Sequence, residues 1–134
     1  MDINKAFQLV LKYYQVSDFQ KAEHISKKIL KVQPDNADVL FMLGVIYYQF
    51  GKHSSAIHYI KKAIQINPTN AYAYYNLGVV IHEKRQLDEA ITYYKKAIQL
   101  DPNLTDAYYN LGIALQEEEQ FEEAITYYQK ALRL

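Results

Sequence analysis

The chain has 134 residues, and its 15 Lys and Arg balance 15 Asp and Glu to a formal net charge of zero, which excludes a general nucleic-acid binder, whose phosphate contacts draw on surplus cations. Half the residues are apolar and 22% are charged, which excludes a disordered chain, and the absence of cysteine excludes disulfides, thiolate metal sites and Cys nucleophiles. No apolar run is long enough for a bilayer, and Met-Asp-Ile-Asn-Lys at the N-terminus lacks the apolar stretch of a signal peptide, so membrane insertion is not expected and a cytoplasmic location is.

Along the chain, residue types recur at one period. Prolines fall at Pro34, Pro68 and Pro102, glycines at Gly44, Gly78 and Gly112, and alanines at Ala22, Ala56, Ala90 and Ala124. Four units follow, 3–36, 37–70, 71–104 and 105–134, the last one truncated, within one domain spanning 1–134. The first unit is the most divergent, with Val10 at the glycine position.

Each unit predicts two helices, because apolar residues recur at spacings of three and four, as in Leu40, Leu43 and Tyr47, then Ala56, Ile60 and Ala63. Breaks fall at Ser17-Asp18, Gly51-Lys52, Arg85-Gln86 and Glu119-Gln120. Ser17 with Gln20 reads as a capping box opening a second helix. Each proline ends a second helix, since the residue before proline is pushed out of the α region. Asp35-Asn36, Thr69-Asn70 and Leu104-Thr105 then supply caps for the next first helix. The small glycine and alanine let two helix backbones approach, and larger residues such as Leu77, Ile81 and Tyr94 fill the remaining space. One hairpin cannot bury its apolar face alone, so neighbours in a row must bury it together.

The order Tyr74, Leu77-Gly78, Ile81, Ala90, Tyr94, Pro102, and its counterpart Leu40, Leu43-Gly44, Tyr47, Ala56, Ile60, Pro68, resembles the tetratricopeptide repeat (TPR) family. The resemblance covers residues 3–134. It implies an all-α fold, a right-handed superhelical solenoid of antiparallel helix hairpins, acting as a non-catalytic scaffold that binds a peptide or helix in a concave groove lined by the first helices. It also implies which positions face that groove: Phe7, Phe41, Tyr75 and Tyr109 at the fifth position of each unit, Gln8, Met42, Asn76 and Asn110 at the sixth, and Tyr14, Tyr48, His82 and Gln116 at the twelfth. Tyr14 and Tyr48 are expected to be exposed and to touch ligand. Tyrosine gives such a surface large area, few rotors and a hydroxyl. Asn76 and Asn110 could pair with the backbone of an extended peptide, and Tyr-Tyr-Asn-Leu-Gly at 74–78 and 108–112 resembles the asparagine ladder of O-linked GlcNAc transferases. Two alternative roles follow: the substrate-recruiting segment of such a glycosyltransferase, and a self-assembling scaffold. A clamp for acidic chaperone tails is not expected, because Phe7, Leu11, Met42, Tyr72 and Asn76 include no cation.

No catalytic, cofactor or metal constellation stands out. His24, His53, His58 and His82 lack the spacing of four that a helical zinc site uses and read as surface residues. Glu117-Glu118-Glu119 with Glu122-Glu123 reads as a solvated turn with no base beside it. Charge is uneven: residues 1–70 hold nine Lys or Arg against five Asp or Glu, giving +4, and residues 71–134 hold six against ten, giving −4. With Ile125, Tyr128, Ala131 and Leu132 expected to leave some apolar surface open, that asymmetry predicts head-to-tail self-association weakened by salt.

Overall fold

A computed structural model describes all 134 residues. Eight helices follow one another: α1 (Ile3–Gln15), α2 (Phe19–Val32), α3 (Ala37–Gln49), α4 (His53–Ile66), α5 (Ala71–Glu83), α6 (Leu87–Leu100), α7 (Thr105–Glu117) and α8 (Phe121–Arg133). They pair in order as four antiparallel hairpins. The hairpins fall into two compact units, Met1–Pro68 with α1 to α4 and Thr69–Leu134 with α5 to α8. No helix is long and apolar enough to cross a membrane.

The hairpin turns share one backbone device. Their middle residues, Ser17, Gly51, Arg85 and Glu119, all lie near φ +60° to +73°. The amides that follow reach back into the first helix: Asp18 N–H donates to the Tyr13 carbonyl at 2.8 Å, Lys52 to Tyr47 at 2.9 Å, Gln86 to Ile81 at 3.2 Å and Gln120 to Leu115 at 2.8 Å. This is the Schellman termination, which satisfies the last carbonyls of the helix. Three of the four turns place a non-glycine residue in the left-handed region, at a cost of about 1 kcal/mol each. Ser17 is therefore the turn residue and not the cap. Asp18 caps α2 instead, accepting from Lys21 N at 3.2 Å.

Asn36 and Asn70 cap α3 and α5, accepting from Val39 N at 3.1 Å and Ala73 N at 3.2 Å. The fourth unit departs from that pattern. Leu104 precedes α7 with no side-chain cap bond and is buried instead, so packing replaces the hydrogen bond there. Gln33, Asn67 and Asp101, each before a proline, have extended ψ of 81° to 94°, and the second helices stop there.

Helix contact explains the glycine and alanine positions. A β-carbon on Gly44 would lie 2.6 Å from Ile60 Cγ1, one on Gly78 2.7 Å from Tyr94 Cδ1, and one on Gly112 2.6 Å from Tyr128 Cε1. Each second helix thus pushes one large side chain against a bare first-helix backbone. The first hairpin distributes volume the other way. Val10 stands at the glycine position, and by the same register it faces Ser26; both are fully buried. The Ser26 hydroxyl donates to the Ala22 carbonyl at 2.8 Å, so the small polar residue is satisfied within its own helix.

In the first unit the core gathers Val10, Ala22, Ile29, Val39 and Ile46, flanked by Phe7, Tyr13, Tyr14, Phe19, Met42 and Phe50. In the second, Leu77, Ile81, Tyr94, Leu111 and Leu115 are all buried, and each such side chain contributes about 1.5–3 kcal/mol. One stripe differs among first helices. Val39, Leu43 and Ile46 of α3 and Ala107, Leu111 and Ala114 of α7 are buried. In α1 the same register carries Lys5, Leu9 and Lys12, all exposed.

Candidate functional site

The expected groove positions lie on the first helices, α1 and α3 in the first unit and α5 and α7 in the second. In the first unit that face is set into the packing. Phe7, Tyr14 and Met42 rest against the core, and Tyr14 lies 5.4 Å from the Phe19 ring. Its hydroxyl accepts from Gln49 Nε2 at 3.2 Å, which links α1 to α3. Tyr48 is half-buried, with the His53 ring 6.2 Å away. Exposure expected of Tyr14 and Tyr48 is thus not found: the ends of the first helices sit against the following turn and second helix, which cover these rings.

The second unit presents more side chain. Tyr72 and Tyr109 are 56% and 54% exposed, while Tyr75, Asn76 and Asn110 are half-buried between them. Asn76 Nδ2 donates to the Tyr72 carbonyl one turn back, at 2.8 Å. Asn110 Nδ2 donates to the Tyr75 hydroxyl at 2.9 Å and ties α7 to α5. The two amides therefore serve their own fold with one N–H each and keep their carbonyl oxygens available. Burial, then the nearby Asp106 charge, raises the Tyr75 pKa above the usual phenol value, against the opposing bond from Asn110.

At the far end of this face, His82 is held from two sides. Its Nδ1 lies 3.1 Å from the Tyr94 hydroxyl and its Nε2 3.2 Å from Glu117 Oε2. Arg85 donates to the same Glu117 oxygen at 2.7 Å. Two sequence expectations are corrected here. His82 is not a surface residue, its side chain being 14% exposed, because Tyr94 passes beneath Gly78 and meets it from the second helix. Glu117 does have basic partners, brought from 35 and 32 residues away by the stacking of α7 beside α5. A hollow of about 390 Å³ opens beside them, lined by Val79, His82, Glu83, Arg85, Tyr94 and Asn110.

Sequence reading also missed a carboxylate pair. Glu118 is held above the ordinary carboxylate value, first by the hydrogen bond its protonated form can make to Asp88, then by slight desolvation and the Asp88 charge. The cause is the packing of α7 on α6, which places the α7–α8 turn beside the start of α6. Nothing local in either stretch signals it.

Against this geometry, comparison with known proteins is specific for family. A family model described as the cytochrome c-type biogenesis protein H TPR domain matches residues 27–134. The chain belongs to this tetratricopeptide-repeat family. No curated protein matches it by sequence. Among solved structures, MamA is similar at 28% identity and TM-score 0.90, covering 98% of this chain and 77% of MamA. YrrB, described as a TPR protein with an unusual peptide-binding site, is similar at 23% identity and TM-score 0.82, covering 98% and 68%; that likeness concerns the fold. An O-GlcNAc transferase variant from Thermobaculum terrenum is similar at 26% identity and TM-score 0.81, covering 84% of this chain and 22% of the transferase. The fold class is accordingly all-α, made of TPR helix hairpins.

Proposed function

We propose that this TPR protein is a non-catalytic scaffold that binds an extended peptide on the first-helix face of its second unit. One observation carries the reading: on α5 and α7, two half-exposed tyrosines, Tyr72 and Tyr109, flank two amides whose carbonyl oxygens have no protein partner, Asn76 and Asn110. Exposed tyrosines supply contact area at low rotamer cost, and the amide oxygens accept from peptide N–H groups, which any sequence offers. Tyr75 and His82 take supporting places, the first anchored by Asn110 and the second by Tyr94 and Glu117. In the first unit, Tyr14 and Tyr48 are half-buried and serve packing first.

The test is selection from a random peptide library, followed by mapping of the selected peptide with amide chemical shifts. Shifts centred on α5 and α7 are expected. In the Tyr109→Ala variant affinity should fall by roughly tenfold, the cost of truncating an interface tyrosine, with helix content unchanged. Shifts confined to second helices would overturn the reading.

A further inference from the structure

The hollow beside His82, about 390 Å³, is walled by α5 and the turn that follows it, by Tyr94 of α6 and by Asn110 of α7. Its lining sorts by charge. Val79, Tyr94 and Asn110 are uncharged and at least half-buried, and His82 has both ring nitrogens engaged. Glu83 and Arg85, of opposite sign, are the exposed members. Asn110 Nδ2 is spent on the Tyr75 hydroxyl, which leaves Oδ1 with two lone pairs. Arg85 spends Nη1 on Glu117 Oε2 at 2.7 Å, one arm of a fork that carries five N–H groups. The hollow thus brings an acceptor and a donor together beside one aliphatic side chain, Val79. The fold itself does not ask for this set. Arg85 lies at φ 63°, in the place that Gly51 takes at φ 73° in the second hairpin. Glycine adopts that conformation at no steric cost, so the arginine stands there for its side chain. In the first unit the counterparts of Val79, His82, Arg85 and Asn110 are Leu11, Tyr14, Ser17 and Met42. Tyr14 and Met42 rest against the core there, and neither an amide nor a cation is present.

We infer that this hollow is a subsite for a neutral primary amide, the side chain of a glutamine or asparagine in the bound peptide. Such a side chain carries a donor and an acceptor at the end of an apolar stem. The stem would lie on Val79, the NH₂ group would donate to Asn110 Oδ1, and the carbonyl would accept from Arg85. The second lone pair of Asn110 Oδ1 stays available to a peptide N–H. A carboxylate would gain Arg85 but face the Asn110 oxygen and the charges of Glu83 and Glu117. An ammonium would gain the Asn110 oxygen but face the guanidinium. An apolar side chain would strip water from both groups and return no hydrogen bond. The inference rests on the peptide-binding reading and adds side-chain selectivity to it.

Four acetylated, amidated Ala–Ser peptides serve as probes, identical but for a central glutamine, glutamate, lysine or methionine. Chemical-shift titration of the whole chain at neutral pH is expected to show glutamine binding roughly fivefold more tightly than methionine, the worth of one hydrogen bond. The Val79 and Asn110 amides should move in that titration. The preference should vanish in Arg85→Gly, a variant that removes the guanidinium yet suits the left-handed turn, so that helix content holds. Equal affinity for glutamine and methionine, with shifts on α5 and α7, overturns the amide subsite while leaving a peptide face in place. Tighter binding of glutamate or lysine overturns it too, because charge would then govern the choice. An undiminished preference in Arg85→Gly does the same, since the amide would be read elsewhere. Shifts away from α5 and α7 with every peptide, or none at all, would instead remove the underlying reading and the subsite with it.

Discussion

The first and third hairpins solve one contact in opposite ways. In the third, the first helix gives up its side chain at Gly78 and the second helix supplies Tyr94. In the first, the first helix supplies Val10 and the second retreats to Ser26. Volume across the contact is what matters, and either helix can hold it. The consequences differ beyond volume. Tyr94 is long enough to emerge on the far side and bond to His82, and Tyr128 reaches Gln116 Oε1 in the same way, at 2.8 Å. Ser26 turns back to its own helix, so Tyr14 is steadied from α3 by Gln49 instead. Second-helix tyrosines therefore fix first-helix side chains in the second unit, at His82 and Gln116, and in the first hairpin Ser26 gives no such support.

Moving the first hairpin's residue into the third should break the contact most severely. Gly78→Val places branched carbons where even a β-carbon lies 2.7 Å from the Tyr94 ring, and overpacking of that degree costs about 3 kcal/mol. Urea unfolding followed by circular dichroism would measure it; a loss under about 1 kcal/mol would mean the ring can step aside. Adding Tyr94→Ser to that variant recreates the first hairpin's arrangement. The pair should be more stable than the sum of the single changes by about 1–2 kcal/mol, and strict additivity would show that the two allocations are not interchangeable.

The smallest effect concerns alkaline pH. Tyr75, Tyr108 and Tyr128 of the second unit, and Tyr47 of the first, have pKa values raised above the usual 10.0, in each case chiefly by burial. A tyrosine whose folded pKa is raised holds its proton more tightly when folded. Its contribution is complete below the unfolded pKa of about 10 and is lost as pH rises through the folded value. Three such groups against one predict that amides of the second unit lose exchange protection first as pH climbs past about 10. Equal loss in both units would count against the difference.

Much of the fold was legible because its determinants are local and periodic. Pro34, Pro68 and Pro102 mark helix ends, and Gly44, Gly78 and Gly112 mark helix contacts, through effects that act within a few residues or at a fixed register. Val10 read as divergence because its compensation, Ser26, lies on another helix. The turns were placed correctly, but their chemistry was hidden: only Gly51 advertises a left-handed residue, while Ser17, Arg85 and Glu119 occupy the same conformation. The candidate site was less legible. His82 meets Glu117 from 35 residues away, and the Tyr94 hydroxyl arrives from beneath a glycine. Neither encounter follows from residue type or spacing, because each depends on how one helix is rotated against its neighbour. Exposure of Tyr14 was misjudged for the same reason, since the covering ring, Phe19, belongs to the next helix.

The lysine stripe of α1 has a bearing on how such a fold can lengthen. Wherever Lys5 and Lys12 stand, α3 and α7 carry Val39, Ile46, Ala107 and Ala114, all buried. A further helix laid on that stripe would have to strip water from two exposed ammonium groups. One laid on α8 would meet Ile125 and Leu132, already more than half exposed. Two lysines in place of a valine and an isoleucine therefore set the desolvation cost of packing along that stripe, and within one repeat fold that cost separates α1 from α3.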